Sequence, residues 1–312
     1  MKALRFHETG TPEVLRLEDV AVPTPGAGEV LVRVAGSGFN QADGGIRAGA
    51  LPIPVTLPHI PGFDVSGTVD ALGEGVTSLA VGDAVIGFIP MTADGSAAEF
   101  VVVPAASLAP APNSIELADA AALPSGALTA WQALFEEAKL TAGQRVLIVG
   151  AGGTVGKYAV SLAARVGAHV VATATPRSSA SVTAAGAEQV IDHTTSSTLE
   201  SVTEQVDVLL NLAPISPDEF AALVAVVRDG GVVVSTTAWM PAPDDASRDV
   251  RSAVIYVHPD LEVLTRLAAL VDAGELTVEV ARRVSLAELP EIHRQSAAGE
   301  LRGKVIATPS AA

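Results

Sequence analysis

The residues with the clearest chemical potential are the glycines of Val146-Leu-Ile-Val-Gly-Ala-Gly-Gly-Thr-Val-Gly-Lys157. Gly150, Gly153 and Gly156 recur at every third position, and Ala151, Gly153 and Gly156 spell the A-x-G-x-x-G form of a dinucleotide-binding turn. Such glycines allow a tight turn, a close backbone approach to a pyrophosphate, and close packing of helix on strand. The first amides of a helix lack internal partners, and the helix dipole adds positive potential there. Gly152, Gly153, Thr154 and Val155 are therefore the expected pyrophosphate contacts.

The elements that must position this turn are readable around it. Val146–Val149 lacks polar alternation and reads as a buried parallel strand. Val155, Ala159, Leu162, Ala163 and Val166 fall on one helical face, and Gly167-Ala168 closes that helix. His169–Thr175 reads as a second strand, completing a β-α-β unit. Further strand signals at Val190-Ile191, Val206–Leu210 and Gly231–Ser235 alternate with helical ones, the pattern of a doubly wound sheet. Before this region, Glu29–Val34, Gly67–Leu72 and Glu99–Val103 read as short strands among Pro and Gly clusters, until the composition turns helical near Asp119. Beyond about Leu261 a helix face (Leu264, Leu267, Ala268, Val271) precedes a short strand at Gly303–Ala307. The tail is expected to return to the first domain, giving a catalytic domain of residues 1–122 and 258–312 around a nucleotide domain of 123–257.

Composition excludes several functions. The chain has 312 residues, a formal charge of −16 and no cysteine. The acidic balance argues against nucleic acid and anionic membranes as partners. Absence of cysteine removes disulfides, thiolate nucleophiles and thiolate-ligated zinc. Charged residues within Met1–Glu8, and the lack of a long uncharged apolar stretch, lead to the expectation of a soluble cytoplasmic protein. No G-x-S-x-G elbow is present, and Tyr158 follows Gly156-Lys157 where a phosphate loop requires Ser or Thr.

Motifs along nearly the whole chain resemble the zinc-free quinone oxidoreductase branch of the medium-chain dehydrogenase/reductase superfamily. They are Gly10–Leu15, Gly38-Phe-Asn-Gln-Ala-Asp43 with Arg47-Ala-Gly49, Pro61-Gly-Phe-Asp-Val-Ser-Gly67, Val81–Gly87, Ala120–Trp131 and Gly303-Lys-Val-Ile306. The resemblance implies an α/β protein in which a GroES-like β-barrel accompanies a Rossmann doubly wound domain, usually as a homodimer. Where zinc-dependent relatives carry a histidine-acid pair after the glycine, this chain has Phe63 and Asp64, and Phe63 cannot ligate a metal. No metal site is expected.

An NAD-specific site places Asp or Glu at the end of the second strand, about 20 residues after the glycines. Here Thr175-Pro-Arg177-Ser178 stands instead, so NADPH is the expected cofactor, with Arg177 and Ser178 facing the extra phosphate. His193 and Lys157 are open between phosphate contact and solvated side chain. The carboxyl ends of later strands supply Asn211, Ala213 and Thr236. By resemblance, Thr129 is a nicotinamide contact, a helix cap being the other reading, and Asn40 is the catalytic donor to a developing oxyanion, a turn-stabilising role being its alternative. Relatives often carry a tyrosine after the aspartate of this motif, whereas Gly44-Gly45 follow Asp43 here. Arg47 could attract an anionic substrate or sit in a surface ion pair, and His258 reads as a loop histidine. The resulting expectation is an NADPH-dependent reductase of a small quinone or α,β-unsaturated carbonyl. Its alternatives are an enoyl reductase of secondary metabolism and a non-catalytic NADPH-binding sensor or scaffold.

Overall fold

In the computed structural model, which describes residues 1–237, 240 and 242–309, the chain divides into two compact units. One comprises Met1–Ser125 and the segment from His258 onward, the other Gly126–Val257. Residues 310–312, with which the expected catalytic domain ends, lie outside the described residues.

In the first unit β1 (Lys2–Arg5) and β2 (Arg16–Asp19) pair antiparallel. β3 (Glu29–Phe39) leads into α1 (Gln41–Ala48), followed by β4 (Asp64–Leu72), β5 (Ala84–Phe88), β6 (Phe100–Pro104) and β7 (Leu108–Pro110). β3 runs five residues past the expected Val34, through Ala35-Gly-Ser-Gly-Phe39. Gly36 and Gly38 do not break it. A Cβ at either would strike the carbonyl oxygen of Ala118 or Ala121, so these glycines admit the turn around Asp119–Ala122 against the strand. α2 (Pro124–Trp131) then begins.

The second unit is a six-stranded parallel sheet. Its elements in chain order are β8 (Arg145–Val149), α3 (Thr154–Arg165), β9 (His169–Ala174), α4 (Pro176–Ala184), β10 (Gln189–Asp192), α5 (Thr198–Ser201), β11 (Val206–Asn211), α6 (Pro217–Leu223), β12 (Val227–Ser235) and β13 (Arg251–Val254). The order β10-β9-β8-β11-β12-β13 reverses direction between β8 and β11, the switch point at which doubly wound sheets bind ligands. Leu147, Val149, Val171, Leu209 and Val233 are buried in one apolar cluster, and Val146, Ile148, Val170, Leu210 and Val234 are buried on the opposite face, which explains the absence of polar alternation in these strands. Val166 departs from expectation. α3 ends at Arg165, and Val166 is 37% exposed at its cap instead of lying on the buried face. β13 was not visible as a strand, because Arg251-Ser-Ala-Val254 is only partly buried at the sheet edge.

The chain closes with α7 (Leu261–Asp272), β14 (Arg282–Ser285), α8 (Leu289–Ala297) and β15 (Val305–Thr308). β15 pairs antiparallel with β3, so the tail completes the order β14-β15-β3-β4-β5-β7, with β6 also on β3. Among the described residues no helix is long and apolar enough to cross a membrane.

α8 buries His293, 1% exposed, edge-on to Phe39 with ring centroids 4.8 Å apart. Arg47 of α1 is also inside, at 3% exposure, donating to the Gly10 carbonyl. It is therefore neither a surface ion pair nor available to an anionic substrate, since its helix face packs inward beside Ile46. Burial, with the Arg47 charge second, lowers the His293 pKa to about 3. An unfolded histidine takes a proton near pH 6.5, so stability is fully present above that pH. It falls by about 1.4 kcal/mol per unit as pH drops toward 3. Urea unfolding of wild type and His293→Leu at pH 7 and pH 5 checks this. The wild type should lose about 2 kcal/mol relative to the variant over that interval, and a constant difference would mean that His293 titrates normally.

Candidate functional site

β8 delivers the chain to Gly150, whose φ of +88° is a left-handed conformation that favours glycine. The turn is held by Gly150 N donating to Thr173 Oγ1 at 3.0 Å and Ala151 N donating to the Thr173 carbonyl at 3.1 Å. Gly153 caps α3. A Cβ on Gly156 would lie 2.5 Å from the Gly150 oxygen and 2.6 Å from Ala151 Cα, so only glycine lets the helix start this close to the strand. By contrast, a Cβ on Gly153 would meet nothing nearer than 3.6 Å. Gly153 is exposed, and the first amides of a twelve-residue helix follow it.

Most of the expected cofactor residues converge on the carboxyl ends of five adjacent strands. Gly152, Gly153, Thr154 and Val155 follow β8, and Thr175, Arg177 and Ser178 follow β9. His193 follows β10, Asn211 and Ala213 end or follow β11, and Thr236 follows β12. They also touch one another. Ala213 flanks Gly150, Ser178 Oγ stands over Gly152, and Thr236 N donates to the Asn211 carbonyl at 3.2 Å. His193 N donates to the Ala174 carbonyl at 3.3 Å, which sets this exposed histidine beside the end of β9.

Side-chain bonding refines these roles. Thr175 is the N-cap of α4, and Ser178 Oγ reaches back to Thr175 N at 3.2 Å, so that hydroxyl serves the local cap. Arg177 is exposed and has no side-chain hydrogen bond or ion pair among the described residues. No carboxylate ends β9. Asp192, in register with Ala174 on β10, is turned into its own loop, accepting from Thr194 Oγ1 at 2.6 Å and Thr194 N at 3.0 Å. Those bonds hold its pKa below the usual carboxylate range. Lys157 is half-buried in the first turn of α3. Thr129 is inside α2, not at its start, so the cap reading does not describe it. His258 is an exposed loop residue.

Whether a dinucleotide fits can be tested on Asn211. Its side chain is fully buried, and Oδ1 accepts from Ala213 N at 3.1 Å, yet Nδ2 has no partner. A buried amide hydrogen without an acceptor is costly unless a ligand supplies one. At the sheet's switch point, beside an open glycine turn, that orphan donor fits a bound dinucleotide.

In the first unit, Asn40 is the N-cap of α1 and half-buried, so Gly38–Asp43 is a strand-to-helix junction and not a loop. Its Nδ2 donates to Asp64 Oδ2 at 2.9 Å and to the Gly38 carbonyl at 3.2 Å. Its Oδ1 accepts from Lys304 Nζ at 2.7 Å. Lys304 also pairs with Asp64 at 2.8 Å, and Ser125 N and Oγ each donate to Asp64 at 2.7 Å. Sequence reasoning gave Lys304, Asp64 and Ser125 no role. The available signal was a lone lysine heading the apolar strand Val305–Ala307. Phe63, where zinc-dependent relatives place a histidine, is buried edge-on to Phe88 at 5.5 Å. No group of three His, Asp or Glu converges among the described residues.

Comparison with known proteins agrees with this architecture. Residues 26–113 match the family model of the alcohol dehydrogenase GroES-like domain, and 185–306 that of the zinc-binding dehydrogenase. A chloroplast envelope quinone oxidoreductase homolog from Arabidopsis thaliana is 30% identical over 99% of this chain and 98% of its own length. The quinone oxidoreductase of Rattus norvegicus is 38% identical over 56% of this chain, a match spanning about half (53%) of that relative. An NAD-dependent alcohol dehydrogenase structure superposes with a TM-score of 0.91 at 28% identity, covering 99% of this chain and 100% of that one. A mycobacterial protein complexed with NADPH gives 0.85 at 28% identity with the same coverage.

Asp43 couples the α1 junction to Gly62. Its Oδ2 accepts from Asn40 N at 2.8 Å and Oδ1 from Gly62 N at 2.9 Å. Burial raises its pKa to about 7, against the pull of those N–H groups and of Lys304. Between about pH 4 and pH 7 the folded protein keeps a proton that an unfolded aspartate has lost, so stability falls as pH rises through this window. Relative to wild type, Asp43→Asn should therefore gain about 1.4 kcal/mol per pH unit from pH 4 to 7. Denaturant midpoints across that range check it, and parallel curves would refute it.

Proposed function

The chain belongs to the medium-chain dehydrogenase/reductase superfamily, and on that premise we propose that it is a zinc-independent oxidoreductase that uses NADPH to reduce quinones or α,β-unsaturated carbonyls. The observation that carries this reading is the set of unsatisfied groups at the strand ends: the open approach over Gly153, the orphan Nδ2 of Asn211 and the unengaged cation of Arg177. Relatives of similar fold are described with either coenzyme, so the choice of NADPH rests on this chain's residues. A carboxylate about 5 Å from a phosphate charge would cost roughly 3 kcal/mol at an effective dielectric near 20. None ends β9, and the charge of Asp192 is directed into its own loop.

In this reading NADPH, when bound, supplies the hydride. The amides after Gly153 hold the pyrophosphate, Arg177 pairs with the adenosine phosphate with His193 beside it, and Asn211, Ala213 and Thr236 line the strand ends. Asn40 donates to the carbonyl oxygen that gains charge, and solvent protonates the product. Zinc independence is supported by the donor set, since the chain has no cysteine and Phe63 fills the ligand position. A cytoplasmic homodimer completes the proposal, β13 offering an exposed sheet edge with Tyr256, 70% exposed, two residues beyond it.

One observation favours a second reading, a non-catalytic NADPH-binding sensor. Both N–H groups of Asn40 already have acceptors, and Gly44 carries no side-chain donor. Calorimetric titration with NADPH and NADH, followed by a panel of small quinones and enones, separates the two. Reductase function predicts micromolar NADPH binding and acceptor-dependent NADPH oxidation, whereas binding without turnover favours the sensor. Arg177→Ala should weaken NADPH about tenfold to a hundredfold, the weight of a charge-assisted bond, and leave NADH unchanged. Equal loss for both coenzymes would place Arg177 outside the phosphate site.

A further inference from the structure

We propose that Lys304 is a positioning residue for reduction, fixing the amide of Asn40 and neutralising Asp64 so that one Asn40 N–H can be given to substrate. The inference rests on the reductase reading above. Lys304 is a donor only and binds Asn40 Oδ1 at 2.7 Å, while the Asp64 carboxylate and the Gly38 carbonyl are acceptors only and bind Nδ2 at 2.9 and 3.2 Å. The flip state of the amide is thereby fixed, with Nδ2 as its donor end. Of its two bonds, the one to Gly38 is longer and is the one a charged substrate oxygen would displace.

The charge balance explains why a lysine is needed behind the amide. The Lys304 and Asp64 side chains are 3% and 0% exposed. Asp64 Oδ2 accepts from Lys304, Asn40 and Ser125, and Oδ1 from Ser125 N. Without the lysine, Asp64 would be a buried anion held only by neutral donors, and it would compete with substrate for the Asn40 protons. With it, the cation at Oδ1 also draws electron density through the amide and strengthens the Nδ2–H donor.

The test measures NADPH oxidation with 1,4-benzoquinone and 2-cyclohexenone. Lys304→Met should lower kcat about thirtyfold, less than the hundredfold or more of an oxyanion donor lost outright, with the KM for NADPH changed less than about threefold. Lys304→Arg should recover part of the loss. Asn40→Ala should cost about a hundredfold, and adding Lys304→Met to it should cost less than about threefold more, because the lysine acts through the amide. A Lys304→Met enzyme within threefold of wild type, or losses that multiply in the double variant, overturns the proposal. Should Lys304→Met fail to fold by circular dichroism, Ser125→Ala carries the same test, its expected loss of about fivefold vanishing in the Asn40→Ala background. An inactive wild type would instead overturn the reductase reading itself.

Discussion

The ion pair of Lys304 with Asp64 joins parts of the chain that are remote in sequence: the closing strand β15, the central strand β4, the junction between β3 and α1, and the start of α2. Two charges removed from water cost several kcal/mol each, and their attraction offsets that only when the remaining lone pairs and protons are also satisfied. Here Asn40 and both donors of Ser125 complete the shell. The pair therefore explains why a tail that follows the whole nucleotide unit must return to β3. Without β15 the Asp64 carboxylate would be an uncompensated charge in the middle of a sheet.

The second unit follows a different constraint, the approach of a helix to a strand. Gly156 against the Gly150 carbonyl sets α3 so close to β8 that the amides after Gly153 open onto the switch point. α4 repeats the construction one strand over, where Thr175 caps its first turn and Ser178 closes on both Thr175 and Gly152. Two helix amino termini thus converge, each with the polarity that favours an anion. Arg177 projects from the second of them.

Legibility in sequence tracked how locally each feature is determined. β8, the glycine turn and α3 were readable because strand periodicity, turn chemistry and helical face lie within about twenty consecutive residues. The extension of β3 through Gly36 and Gly38 was not, since glycines in a strand look like a break until the carbonyls of Ala118 and Ala121 are seen against them. Arg47 misled for a related reason: its burial depends on the Gly10 carbonyl and on α8, neither of which is near it in sequence. The Lys304 network was hidden most deeply, because its members come from positions 40, 64, 125 and 304 and no spacing rule connects them.

The disposition of cations separates two tasks that sequence alone cannot tell apart. A residue that recognises a phosphate must stay solvated and unpaired until the ligand arrives, because a resident carboxylate would have to be displaced first. A residue that orients another side chain must be buried and fully paired, because an exposed ammonium has too many geometries to fix an amide. Arg177 meets the first requirement and Lys304 the second. Arg47 meets neither: it is buried beside an uncharged His293, and its one carbonyl partner, Gly10, ties α1 to the turn ahead of β2. In a chain of charge −16 carboxylates outnumber cations, 35 to 19. The burial of Arg47 and Lys304 leaves the α1 junction without an exposed cation of its own, while Arg177 keeps one at the rim of the nucleotide unit.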